Sequence, residues 1–420
     1  MENISSLAIR NQKLKIIISQ LTGSLGSGIF SFGIGLMILR ETGSASNFGF
    51  SQIVGPIVSL LLLPFTGSIV DKYNRKLIVI IAQLSSIVAI CLFLVANSMA
   101  WLPKLYLIYI LLTILAVSDL FLFTTYSAST IMMVPKEEVQ KIMSMKQIVR
   151  TISMIGSPIL GATLYGFLSF EQFVIMEIAS EIITLLIVLG IDFYLFKPDE
   201  DMLSGEENSE EGIFASFKKG LIFIRENNTI SFMIVFAMFV NLTLTSTNVG
   251  LPFIKVNVFH FNNYEYGISS VPFALGMLLS GIILANREDF DKPIFNAWKL
   301  CFVLLFIILA TGLVILFKLS HLGNLIFVMA QAGVSGVLVG HINTPIGVWN
   351  SKNIPPMMQG RVSNILSTGC QLLMPIGTMF FGALFDYPIR PDFIFIVASL
   401  IGIGVAFILP TLLRVQIREL

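Results

Sequence analysis

Four titratable side chains, Asp119, Glu177, Glu181 and His341, stand inside long apolar stretches of this sequence. An ionisable group in such surroundings is costly enough to mark a functional position, and the chemistry these residue types suggest is proton transfer. Glu177 and Glu181 are four residues apart, so on a helix they share a face, and two close carboxyls can hold a proton between them. Asp119 follows Lys104 by 15 residues, which on a helix is about 22 Å and places it near mid-bilayer. The competing reading of Asp119 is an acid satisfied by neighbouring hydroxyls such as Ser118 or Thr124. His341 lies beside Asn343 and Thr344 and reads either as a proton carrier or as a packed hydrogen-bonding residue. Asp192 falls close enough to the end of its segment to be interfacial. With His260 and His321 scattered elsewhere, the three histidines cannot make a zinc site. Cys91, Cys301 and Cys370 lie in apolar segments without ligand spacing and read as small packing residues, so no metal is expected. No phosphate-cradling Gly-Lys loop occurs, because the glycine-rich stretch from Gly23 to Gly35 lacks a lysine, and no cofactor is expected.

The elements that must position these groups are membrane helices. Hydrophobic residues make up 55% of the 420 and charged residues 12%, too little charge for a soluble surface of that length. A net charge of +1 without a basic run excludes nucleic acid as a partner. The polar opening "MENISSLAIRNQKLK" has no apolar core followed by a small-residue cleavage site, so no removable signal peptide is expected. Ten apolar stretches are free of charge, and two more, 105–135 and 172–196, are equally apolar but carry Asp119 in one and Glu177, Glu181 and Asp192 in the other. A spanning helix takes about 20 residues, so the expectation is an all-α membrane protein of twelve spans. Ten or eleven follow if one stretch is re-entrant or peripheral, the run 300–317 being the shortest.

With the N-terminus in the cytoplasm, only Arg40, Lys104, Lys255, Lys318 and Arg390 of the 26 lysines and arginines fall outside. Both termini are then cytoplasmic. The longest loop divides the chain into an N-terminal six-helix part, 1–196, a cytoplasmic linker, 197–228, and a C-terminal six-helix part, 229–420. The linker opens on an acidic, apolar-poor stretch that reads as flexible. It closes on "IFASFKKGLIFIR", where Ile213, Phe214, Phe217, Leu221 and Ile224 share one face, as in an amphipathic helix on the inner leaflet.

"GSIVDKYNRK", Gly67 to Lys76, becomes the cytoplasmic turn between the second and third helices. The positive-inside bias explains its bases but not Asp71, which can cap the next helix or accept bonds from a neighbouring one, while Gly67 permits close backbone approach. Gly67, Asp71, Lys72, Arg75 and Lys76 together resemble the signature of this loop in the major facilitator superfamily. The resemblance covers the whole chain and implies two six-helix bundles that rock about a central site. It also implies that Asp71, Lys72, Arg75 and Lys76, with Gly67 as the contact residue, latch the halves together on the cytoplasmic side. Asn74 stands where the family often has Gly, a mild change because Asn tolerates the left-handed conformation. The equivalent loop of the second half keeps Gly281 but has Ala285 at the acid position, so one half alone carries a good latch.

In the fifth helix "GSPILGATLYG", Gly156, Pro158 and Gly161 allow a kink and tight helix contact. The stretch also resembles the antiporter signature of the superfamily, with Ser157 in place of a Gly, and Pro375, Gly377 and Gly382 echo it near the C-terminus. The family's cavity-lining fourth helix and peripheral sixth favour Asp119 over Glu177 and Glu181 as the proton carrier. Gln20, Asn241, Thr245, Asn248 and Gln371 interrupt apolar segments and read as substrate contacts or as interhelical hydrogen bonds. The stretch beginning "SQLTGSLGSGIF" is similar to the macrolide-efflux branch. The expected function is therefore proton-coupled export of small amphipathic or hydrophobic molecules across a bacterial plasma membrane by a monomer in contact with protons and lipid. The alternatives are a lipid or lysolipid flippase on the same fold and a membrane enzyme. The enzyme would need an acid, His or Cys constellation at a membrane face, and none converges.

Overall fold

The computed structural model describes residues 6–99, 102–196, 222, 224–287, 290–354, 362, 365–366, 369–370 and 372–413. These fold into helices α1 (Ser6–Thr42), α2 (Ala45–Lys72), α3 (Arg75–Ser98), α4 (Lys104–Met133), α5 (Lys136–Phe167) and α6 (Phe170–Leu189). After the linker come α7 (Asn228–Asn257), the short α8 (Asn263–Ile268), α9 (Val271–Ala285), α10 (Pro293–Phe317), α11 (His321–Asn353), α12 (Met374–Asp386) and α13 (Pro391–Leu412). Ten spans among the described residues are long and apolar enough to cross a bilayer, with α8 and α9 counted as one. The 300–317 stretch belongs to α10, one of the ten. The expected amphipathic segment of the linker lies mostly outside the described residues, as does Gln371.

Local signals set the helix ends. Asn74 accepts a hydrogen bond from the Leu77 amide at 3.2 Å and caps α3. Its φ of −60° is extended, not left-handed, so the residue that departs from the family pattern serves as a cap, the task the sequence suggested for Asp71. The Asp71 side chain lies outside the described residues. Ser169 and Gln172 form a capping box at α6, and Asn262 and Glu265 another at α8. Lys15 and Lys76 both donate to the closing carbonyls of α6, at Gly190 and Leu189, where a cation meets the negative end of the helix dipole.

The chain forms two compact units, Met1–Ile38 with Ser51–Asn208, and Leu39–Phe50 with Ser209–Leu420. Large apolar side chains such as Leu92, Leu186, Leu278, Ile282 and Phe407 are more than half exposed, as lipid-facing residues must be. Hydrophobicity alone does not join helices in lipid, so close packing of small residues does. In the first unit a β-carbon on Gly161 of α5 would lie 2.8 Å from the Ile29 carbonyl oxygen of α1. In the second unit, β-carbons on Gly276 and Gly336 would lie 2.2 and 2.1 Å from backbone oxygens across the α9–α11 contact. The α1–α2 tip, Leu39–Phe50, belongs to the second unit, where the Asp386 carboxylate accepts from Ser44 Oγ at 2.7 Å and from the Ala45 and Ser46 amides at 2.6 and 3.0 Å.

Candidate functional site

The first unit gathers three carboxyls from two helices. Glu177 and Glu181 are one turn apart on α6 and only 1% and 3% exposed, so the sixth helix turns its acids inward although its family position is peripheral. Electrostatic interaction links Glu177 with both Glu181 and Asp119 of α4. Glu181 interacts with Asp119 as well and accepts a hydrogen bond from Gln83 Nε2 of α3. Asp119 accepts from Ser27 Oγ of α1 at 2.7 Å, and its side chain is exposed on the unit's surface. The hydroxyl expected to serve Asp119, that of Thr124, instead donates to the Leu120 carbonyl at 2.8 Å, the local bond a helical threonine makes most easily. No donor among the described residues reaches either oxygen of Glu177.

Gly26 sets how closely α1 covers this group. A β-carbon there would lie 2.1 Å from Ser180 Oγ, 2.9 Å from Ser180 Cβ and 3.3 Å from Glu177 Oε2. Gly26, Ser27, Gln83 and Ser180 are absent from the sequence reading. A lone glutamine within the apolar α3 was the legible signal for Gln83. The glycine and serines were hidden in a stretch rich in both. Arranged this way, the three carboxyls can share a proton.

The other expected positions separate. Arg75 Nη1 donates to the Ala128 carbonyl at 2.9 Å and Lys76 to Leu189 at 3.0 Å, so two of the loop's three bases are engaged inside the first unit, while Lys72 stacks near the Tyr73 ring. A β-carbon on Gly67 would meet no described atom within 4 Å, and one on Gly156 only Leu25 Cδ1 at 3.6 Å. Pro158 lies inside α5. His341 Nδ1 bonds Ser280 Oγ at 2.8 Å and the Val337 carbonyl at 3.0 Å, fixing it against α9 in the second unit. Asp192 receives the Tyr194 amide at 2.9 Å and pairs through its backbone with Gln12. Lys146, counted with the inner-loop bases, is 7% exposed and donates to Thr130 Oγ1 and the Tyr126 carbonyl of α4, because α5 begins well before its apolar run.

The polar set expected at substrate is also divided. Thr245 is fully buried and bonded to Leu242 of its own helix, and Asn248 is exposed. Gln20 keeps a buried side-chain oxygen with no partner among the described residues. Asn241 donates to the Cys370 carbonyl at 2.9 Å and lines a cavity of about 420 Å3 within the second unit.

Long apolar helices, a cluster of carboxyls within the first unit and tight glycine contacts define a polytopic membrane protein. Residues 16–378 match the profile of the Major Facilitator Superfamily, and the chain belongs to that superfamily. It is 24% identical to macrolide efflux protein A of Streptococcus pyogenes over 98% of both chains. Among solved structures it resembles a D-xylose-proton symporter, TM-score 0.67 at 13% identity over 95% of this chain and 97% of that one. It also resembles the nucleoside transporter NupG, TM-score 0.66 at 15% identity over 97% of this chain and 100% of that one. The chain is thus a multi-pass transporter of a bacterial plasma membrane.

Proposed function

We propose that this protein exports small amphipathic or hydrophobic molecules in exchange for protons, by alternating access of two six-helix halves. The carrying observation is the convergence of Asp119, Glu177 and Glu181 in the first unit, with Glu177 lacking any described donor. A buried carboxylate without a donor is costly, and a proton held within the group removes that cost. Asp119 is the member that exchanges protons, and the α6 pair holds charge beside it. The macrolide efflux protein among the relatives supports export as the direction and amphipathic compounds as the cargo.

The twelve-span reading adds α5 and α12 to the ten apolar spans and places both termini in the cytoplasm. In that orientation the α2–α3 turn faces the cytoplasm, where Asp71 and Lys72 latch the halves and Arg75 and Lys76 hold the turn on α4 and α6. The driving force is adequate. One proton crossing about 100 mV gains about 2.3 kcal/mol, and each pH unit adds about 1.4 kcal/mol. The test is a deletion strain and an overexpressing strain challenged with a panel of amphipathic antibiotics, accumulation being measured with and without an uncoupler. Overexpression should lower accumulation of some compounds, and the uncoupler should abolish the difference. Uncoupler-resistant export, or no difference for any compound, overturns the proposal.

A further inference from the structure

We infer that the cavity within the second unit is a binding site for neutral amphipathic molecules of two or three fused rings that carry a hydrogen-bond donor. It lies among α7, α10 and α11, near the end where α7 and α10 begin and α11 finishes, and Leu366 and Cys370 close it. Every described lining residue belongs to the second unit.

Three features define the ligand. Among the described residues no lysine, arginine, histidine or carboxylate lines the cavity, so an ionised ligand would find no counter-charge in this lining, and a neutral one fits it. The walls are mainly aliphatic, with three aromatic side chains, Phe232, Phe236 and Trp298, each packed against another ring. Phe232 stacks on Phe236 at 5.4 Å, and Trp298 is held between Phe295 at 5.8 Å and Phe302 at 4.8 Å. The Trp298 Nε1–H is already committed to the Ala406 carbonyl at 2.9 Å, so the indole offers the cavity apolar surface alone. One polar group of the lining is an unmet acceptor, since Asn350 Oδ1 is buried with no partner among the described residues, while the Asn241 amide already donates to Cys370 and the Asn343 amide also lines the cavity. A ligand hydroxyl or amine would satisfy it, and an unmet buried acceptor is a strong selector for such a group.

Volume sets the size. At about 30 Å3 per water, the 420 Å3 cavity corresponds to roughly 14 waters, and it sits at the small end of ligand pockets. Fused-ring phenols and amines match it. The site's role in export rests on the function proposed above, and binding itself rests on the cavity.

The test uses the full chain in detergent with 2-naphthol as the probe, at pH 7 and with no gradient. Saturable quenching of the tryptophan fluorescence is expected, matched by equilibrium dialysis. Asn350→Leu should weaken binding about tenfold, the value of one hydrogen bond to a buried acceptor. Cys301→Phe, which narrows the cavity between α7 and α10, should weaken it as well. Independently of any substitution, saturating 2-naphthol should slow N-ethylmaleimide labelling of Cys370, which lines the cavity, and leave Cys91, exposed on α3, unchanged. Equal protection of both cysteines, or saturable binding untouched by both variants, overturns the site. Transport in proteoliposomes is read separately. Saturable binding without proton-driven 2-naphthol transport keeps the site and contradicts the export function, whereas transport that is indifferent to Cys301→Phe keeps the function and removes the site.

Discussion

Replacing Gly26 by alanine places a β-carbon against the acid group's ceiling. That atom would lie 2.9 Å from Ser180 Cβ, and ordinary contact begins at 3.4 Å, so α1 and α6 must separate locally by at least 0.5 Å. Rotating Ser180 relieves the 2.1 Å clash with its Oγ but not the Cβ contact, and it breaks the hydrogen bond from that Oγ to the Thr22 carbonyl at 3.2 Å. Overpacking of this kind costs about 1–3 kcal/mol, and the lost bond about 1 kcal/mol. Glu177 Oε2, at 3.3 Å from the added carbon, must move with the helix. Gly26→Ala is therefore expected to lower thermal stability and to cut proton-driven efflux about tenfold or more. Ser180→Gly removes both clashing atoms, so the double variant should recover stability and transport, with a coupling of about 1–3 kcal/mol in the thermodynamic cycle. Efflux and thermal unfolding of the four proteins in one detergent give the answer. If Gly26→Ala behaves as wild type, or if Ser180→Gly fails to rescue it, the close contact does not position Glu177.

Gly161→Leu should abolish transport without loss of expression, because its β-carbon meets the backbone oxygen of Ile29 at 2.8 Å, whereas Gly156→Ala, with Leu25 Cδ1 at 3.6 Å, should transport normally; equal behaviour of the two contradicts this. Asp386→Asn removes the charge that caps α2 and is expected to cost about 0.5–2 kcal/mol, read as faster hydrogen exchange at Ala45 and Ser46; unchanged exchange refutes the cap. Glu138, near the start of α5 and before its apolar run, is held below the usual carboxylate range first by its hydrogen bond to Lys13 at 2.9 Å. A lowered folded-state pKa stabilises above the unfolded value, about 4.3, and is lost as pH falls through the folded one. The stability difference between wild type and Lys13→Gln should therefore be constant at neutral pH and shrink below about pH 4; a difference that grows on acidification contradicts the pairing.

Spanning helices were legible because a bilayer leaves little freedom: a run of about 20 apolar residues has to be a helix. The acids Asp119, Glu177 and Glu181 stood out for the same reason, as charges with no water to meet. Their company did not. Ser27 and Gln83 reach the acids from other helices, and which faces meet is decided by glycine contacts such as Gly26 on Ser180 that no spacing within one helix encodes. Asp119 found its hydroxyl partner on α1, because Thr124 is one turn from a carbonyl of its own helix. Lys146 was misplaced among loop bases since α5 runs past its apolar stretch, a charged extension that hydropathy reads as loop. Thr245 interrupts an apolar helix as a substrate contact would, yet its hydroxyl is satisfied by Leu242.

Proton coupling through Asp119 is measured most directly by efflux from proteoliposomes with an imposed pH gradient, alongside substrate binding at several pH values. Wild type should build a substrate gradient against its concentration that grows with the pH difference. Asp119→Asn, which mimics the protonated acid, should still bind substrate and let it equilibrate downhill, with no response to the pH difference. An Asn variant that pumps uphill with unchanged pH dependence contradicts the account and moves the proton to Glu177, Glu181 or His341.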